Sequence, residues 1–125
     1  MKVSREKVTE YLEDVKKAVK HGRYKISPRE KNEVLFDEYV FSEEQRKEII
    51  LDLRVEDFSK ADYNDHPEHA EEILYIFGKE VQLLPKYGGD EETVELYIKF
   101  NKLANMYVII ISFHKQEYPL KYQFR

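Results

Sequence analysis

Four residues near the end of the sequence carry groups suited to acid–base work on a phosphodiester: Tyr97, Lys99, Ser112 and His114. Cleaving RNA without a metal needs a base to activate the 2′-hydroxyl and an acid to protonate the leaving 5′-oxygen. It also needs cations to hold the phosphate. Imidazole exchanges protons near neutral pH and suits either proton-transfer role. A phenol and an amine suit phosphate stabilisation, or proton transfer where their pKa values are lowered. On a solvated sheet face the same four residues would be chemically silent, so everything depends on how the chain positions them.

The stretch from Val94 to His114 does the positioning. It contains two apolar runs, Val94–Phe100 and Met106–Phe113, separated by a polar turn from Asn101 to Asn105. Alternation in the first run puts Val94, Leu96, Ile98 and Phe100 on one face and Glu95, Tyr97, Lys99 and Asn101 on the other. The second run is β-branched and aromatic, which favours a buried strand over a helix. Folded as an antiparallel pair, with Ile98 opposite Ile109 and Leu96 opposite Ile111, the runs bring their apolar faces together. Tyr97 and Lys99 then share a wall with Val108, Ile110, Ser112 and His114.

The rest of the chain reads as helices followed by strands. Ser4 is an N-cap, Val3 and Val8 form a hydrophobic staple, and Val8, Tyr11, Leu12, Val15, Ala18 and Val19 recur at helical spacing until Gly22. Arg23–Ile26 reads as a short strand. Ser27-Pro28 is expected to open a second helix running through Val34, Leu35 and Tyr39. Ser42 and Gln45 have capping-box spacing and start a third, with Ile49, Ile50 and Leu53 inward. Arg54–Lys60 reads as an irregular turn docked through Val55 and Phe58. A polar loop follows from Asp62 to Glu72, with a short helix after Pro67. Ile73–Val81 reads as a strand with Gly78 at a close approach, Leu84–Glu92 as a loop, and the alternating tail Leu120–Arg125 as a last edge strand. The fold class expected is α+β: N-terminal helices packed on a twisted antiparallel sheet, in one domain spanning residues 1–125.

Composition narrows the classes. A hydrophobic share of 42% with 14% aromatics suits a folded chain. Cysteine is absent, which excludes disulfides and thiolate metal sites and fits a cytoplasmic protein. No apolar leader or membrane-length run is visible, so a soluble chain is expected. The net charge of −4 argues mildly against nucleic acid. Acids, however, concentrate in Asp62–Glu72 and Asp90–Glu95, whereas Lys99, Lys102, Lys115, Lys121 and Arg125 lie on the hairpin and tail, leaving room for a local basic groove. His66 and His69, with Asp62, Asp65 and Glu72 nearby, are of metal-ligand type. Proline between the two histidines spoils a helical presentation, so no metal is expected. Lys86–Asp90 holds two glycines without phosphate-loop spacing.

The segments IILDLRVEDFSK, ELYIKF and VIIISFH occur in that order. Together with the tail EYPLKYQFR they give the chain a sequence that resembles the MqsR family of toxin ribonucleases from bacterial toxin–antitoxin systems. The resemblance implies a compact fold similar to RelE-type toxins, metal-independent cleavage of single-stranded mRNA with no cofactor, and neutralisation by a tightly bound antitoxin. It matches Lys60 to the lysine of the Asp-Phe turn and Tyr97 to the tyrosine of the penultimate strand. His114 falls where better-known members carry a lysine. The catalytic residues expected are therefore His114, Tyr97 and Lys60, with Lys99, Ser112, Lys115, Lys121 and Arg125 binding substrate. Two other classes stand beside this one: a non-catalytic module that binds a protein partner, and a metal hydrolase built on His66 and His69. The nuclease reading requires Tyr97 and His114 to emerge on the same side of the sheet, near Lys60.

Overall fold

The computed structural model describes residues 1–125. The first helix, α1 (Arg5–Lys20), follows its sequence signals closely. Ser4 Oγ accepts from Lys7 N–H, the six apolar positions from Val8 to Val19 are buried, and Gly22 takes the positive φ of 71° that lets the chain turn away. Strand β1 (Tyr24–Ile26) leads to α2 (Glu30–Glu38), two-residue β2 (Tyr39–Val40) and α3 (Glu43–Leu51). A 3₁₀ turn at Val55–Asp57 opens β3 (Phe58–Tyr63). A second at Pro67–His69 precedes the long β4 (Ile73–Pro85), β5 (Glu92–Lys102) and β6 (Val108–Lys115). The fold is thus mixed α+β, three helices on a curled and mostly antiparallel sheet.

The sheet runs β1-β6-β5-β4-β2, and β3 also pairs with the first half of β4. Only the β1–β6 pairing is parallel. One face meets the helices. Phe58, Phe77, Phe100 and Phe113 are fully buried there with Leu96, Ile98 and Ile110. Tyr11 of α1 stacks on Tyr75 with centroids 3.7 Å apart, and its hydroxyl meets Phe100 O and Lys102 N–H at the end of β5. The fully buried Asn32 of α2 fastens that helix to β6: its amide nitrogen donates to Ser27 O and Ile111 O, and its oxygen accepts from Phe113 N–H. A strand edge that would otherwise carry unmet backbone groups is closed by one side chain.

Several boundaries differ from expectation, each for a local reason. Helix α2 begins at Glu30 with Arg29 as its cap residue, so Ser27-Pro28 does not start it. Ser27 N–H instead bonds Ile110 O and continues the β1 pairing. Phe58, Ser59 and Lys60 lie on a strand, with Ser59 bulged out between Phe58 and Lys60. Leu84 and Pro85 extend β4 because Tyr39 and Val40 pair with them. The tail beyond Lys115 forms no strand. It runs along β3 through Gln123 N–H to Phe58 O and Ser59 Oγ to Lys121 O, while Phe124 stacks near Phe58.

Candidate functional site

The β5–β6 register is not the one expected from sequence. Ile98 faces Phe113 and Leu96 faces Lys115, in place of Ile109 and Ile111. The chain jumps from Lys99↔Ser112 to Phe100↔Ile110, leaving Ile111 as an extra residue on β6. Such a bulge reverses side-chain parity along the strand. Val108 and Ile110 consequently face the core, correcting their expected place on the wall, whereas Ser112 and His114 project to the other face.

On that face two cross-strand rows form. Gly78, Tyr97 and His114 lie in one. Lys60, Ile76, Lys99 and Ser112 lie in the next. The bulge at Ser59 gives Lys60 this parity, just as the bulge at Ile111 gives it to Ser112 and His114. The rings of Tyr97 and His114 stack, with centroids 5.1 Å apart and planes 10° from parallel. His114 is only 8% exposed and Ser112 2%, while Tyr97 and Lys99 are half-buried. Gly78 leaves the space into which Tyr122 and Gln116 of the tail pack.

Burial sets the electrostatics. It lowers the His114 pKa below the ordinary histidine value, with Lys31 and Arg29 adding to the effect and the Lys115 carbonyl opposing it. The imidazole is therefore neutral at neutral pH. Its Nδ1 lies 2.8 Å from Lys115 O, and a carbonyl only accepts, so Nδ1 carries the proton and Nε2 the lone pair. Burial pushes the Tyr97 phenol up to about 12, with Tyr118 and Asp62 contributing, so it stays protonated as a donor. The Lys99 ammonium is lowered by burial and by Arg29.

A second wall comes from residues that sequence reasoning missed. Arg29, Lys31, Glu117 and Tyr118 close a cleft of about 130 Å³ with Tyr97, Lys99, Ser112 and His114. Arg29 Nη1 donates to Ser112 Oγ at 3.2 Å, and Lys31 pairs with Glu117 at 2.5 Å. Nothing in their spacing announces them, because the start of α2 and the tail meet only through the tertiary fold. His114 also lines a neighbouring groove of about 410 Å³ beside α2, with Lys115, Val34 and Glu38.

The remaining expected site residues scatter. Lys60 shares the face but pairs with Asp62 at 3.5 Å. Lys115 is turned off the wall, pairs with Glu38 at 3.3 Å and lies over the Tyr39 ring. Arg125 is held by Asp57 and by Glu56 O, away from the cleft. Lys121 borders a separate hollow with Ser59, Lys60 and Pro119. Lys115, Lys121 and Arg125, read as substrate-binding, therefore do not line the cleft: Lys115 turns towards Glu38 at the end of β6, and the tail folded back along β3 carries Lys121 and Arg125 elsewhere. Pro67, expected to spoil a joint presentation, opens the 3₁₀ turn that holds the His66 and His69 rings 5.1 Å apart. With Glu68 they bring ligand-type atoms within 4.8 Å of one another, all three exposed.

No protein-family model, curated protein or solved structure matches the chain. No helix is long and apolar enough to cross a membrane.

Proposed function

We propose that the protein is a metal-independent endoribonuclease of the toxin type, cleaving single-stranded mRNA in the cleft against β5 and β6 and held in check by an antitoxin. The observation that carries this reading is the stacked Tyr97–His114 pair, set beside Lys99 and Ser112 on one sheet face. A neutral imidazole with a free Nε2 is the base such a reaction needs, and a high-pKa phenol is a donor to the phosphate or the leaving oxygen. His114 takes the 2′-hydroxyl proton, the 2′-oxygen attacks phosphorus and the P–O5′ bond breaks, leaving a 2′,3′-cyclic phosphate and a 5′-hydroxyl. Tyr97 orients the scissile phosphate and gives its phenol proton to the leaving O5′, and the proton held on His114 is returned to the phenolate through solvent; Lys99 and, from further out, Lys60 offset the growing charge on the phosphate. The MqsR-like segments and their order support the same reading, as does the α+β architecture expected of a RelE-like toxin.

Replacing His114 by Ala lowers cleavage on the order of 10²–10⁴-fold with folding intact. The assay is cleavage of a labelled single-stranded RNA, with growth arrest on expression without a partner as the cellular readout. Full activity in the variant removes His114 from the mechanism.

One observation favours the non-catalytic module instead. Lys31, Lys60 and Lys115 are each already paired with a carboxylate, which blunts the attraction for a polyanion. That reading predicts that expression without a partner is tolerated and that no RNA is cut.

A further inference from the structure

Two cations at the cleft stand apart from the others. Lys31, Lys60, Lys102 and Lys115 all have carboxylates within ion-pair distance, but neither Arg29 nor Lys99 does. These two flank the same buried residue. Ser112 sits directly across from Lys99 on the neighbouring strand, and its hydroxyl accepts from the Arg29 guanidinium. A half-buried ammonium with no carboxylate in ion-pair contact costs free energy, and a second cation beside it adds to that cost. Burial first, then Arg29 and Lys60, lower the Lys99 pKa, against the more distant carboxylates of Asp65 and Asp62, which raise it. Asp62 and Asp65 offset this charge only from beyond ion-pair distance, and the one carboxylate lining the cleft, Glu117, is paired with Lys31, so an anion at Arg29 and Lys99 relieves it. At about 130 Å³ the cleft is smaller than the ~300–1,000 Å³ typical of small-molecule pockets, so it suits one tetrahedral oxyanion and not a whole nucleotide.

We propose that Arg29 and Lys99 form a clamp for a single phosphate group, with Ser112 holding the guanidinium in place. The ligand in the nuclease is the scissile backbone phosphate of RNA; this part of the proposal rests on the ribonuclease reading. Guanidinium presents paired N–H groups to the non-bridging oxygens, while the ammonium supplies a point charge from the sheet side. The clamp lies in the same cleft as His114 and Tyr97, where a bound phosphate would meet both the base and the phenol. Arg29 is thus assigned a substrate-binding role that strengthens as charge grows on the phosphate oxygens.

The experiment has two arms. In the first, the ¹⁵N-labelled protein is titrated with inorganic phosphate at constant ionic strength, with chloride as control, for the wild type, Arg29→Ala, Arg29→Lys and Ser112→Ala. Saturable shifts at the amides of Lys99, Ser112 and His114 are expected. Affinity should fall about tenfold or more in Arg29→Ala and recover in part in Arg29→Lys, with dispersed spectra showing that each variant is folded. Absent saturation in the wild type, or equal affinity in folded Arg29→Ala, overturns the clamp. In the second arm the same proteins are given single-stranded RNA, and kcat should fall in Arg29→Ala more than KM rises. Phosphate binding that depends on Arg29, in a wild type that cuts no RNA, supports the clamp and overturns the nuclease. RNA cleavage undiminished by Arg29→Ala does the reverse.

Discussion

Asn32 makes two side-chain hydrogen bonds to the backbone of β6 and one to Ser27, and its removal has a calculable cost. In Asn32→Ala the Phe113 N–H loses an acceptor 2.7 Å away, and the carbonyls of Ser27 and Ile111 lose donors at 2.9 and 3.1 Å. A buried group left unmet costs ~1–3 kcal/mol, more surely for an N–H than for a carbonyl. The site is fully buried, so little water reaches it in compensation. A total of about 3–5 kcal/mol follows, a large part of the ~5–15 kcal/mol by which such domains are stable. Asn32→Leu restores volume but none of the bonds and should cost nearly as much. Asn32→Asp keeps the acceptor but turns a carboxylate towards two carbonyls, so it should be at least as damaging at neutral pH. Urea unfolding followed by circular dichroism checks the three variants. If all lie within about 1 kcal/mol of wild type with unchanged m-values, the account of this edge is wrong. Ile111 is the bulged residue, so amide exchange at Ser112 and His114 should quicken in any variant that folds.

Two further outcomes follow from packing and charge. Gly78→Ala places a methyl against Tyr122 and Gln116, whose amide also donates to Leu96 O. Overpacking should cost about 1–3 kcal/mol, and in a Tyr122→Ala background the same change should turn neutral or stabilising, read by a denaturation double-mutant cycle. The lowered His114 pKa means the unfolded chain binds the proton first on acidification. Its contribution to stability is therefore constant above about pH 6.5 and is lost as pH falls from there through the folded-state value. His114→Gln should flatten that part of the stability–pH curve. A nuclease using neutral His114 should likewise show an acid limb in kcat/KM below the ordinary histidine value.

Helix α1 is legible in the sequence because its cap, stripe and stop are local and agree with one another. The capping box of α3 is legible for the same reason. The alternation pattern puts Tyr97 and His114 on one face, but through a register that the fold does not use. The apolar face of β5 follows from alternation, but on β6 the core takes Val108 and Ile110 where the pattern offers Ile109 and Ile111; the two sets look alike at every offset, so hydrophobic pattern alone does not choose between slips. At the bulge Ile111 O accepts from Asn32, nearly eighty residues earlier, and no strand-level rule contains that contact. Arg29 was hidden for a related cause. Ser-Pro is a sound helix-opening signal, but Ser27 is taken by the backbone of β6, and the helix starts late enough to release the arginine towards the cleft.

The parallel contact between β1 and β6 has a consequence for how the chain comes together. Residues 24–26 find their neighbours only at 108–110, so the first strand must wait for the last before it gains a ladder. Loop closure over that span comes before its reward, and topologies of this kind acquire their native state slowly. The cleft inherits the delay, since one of its walls stands at the start of α2 and the other on β5 and β6. A kinetic experiment should find the β4–β5 hairpin protected early and the Arg29–Ser112 contact among the last to appear.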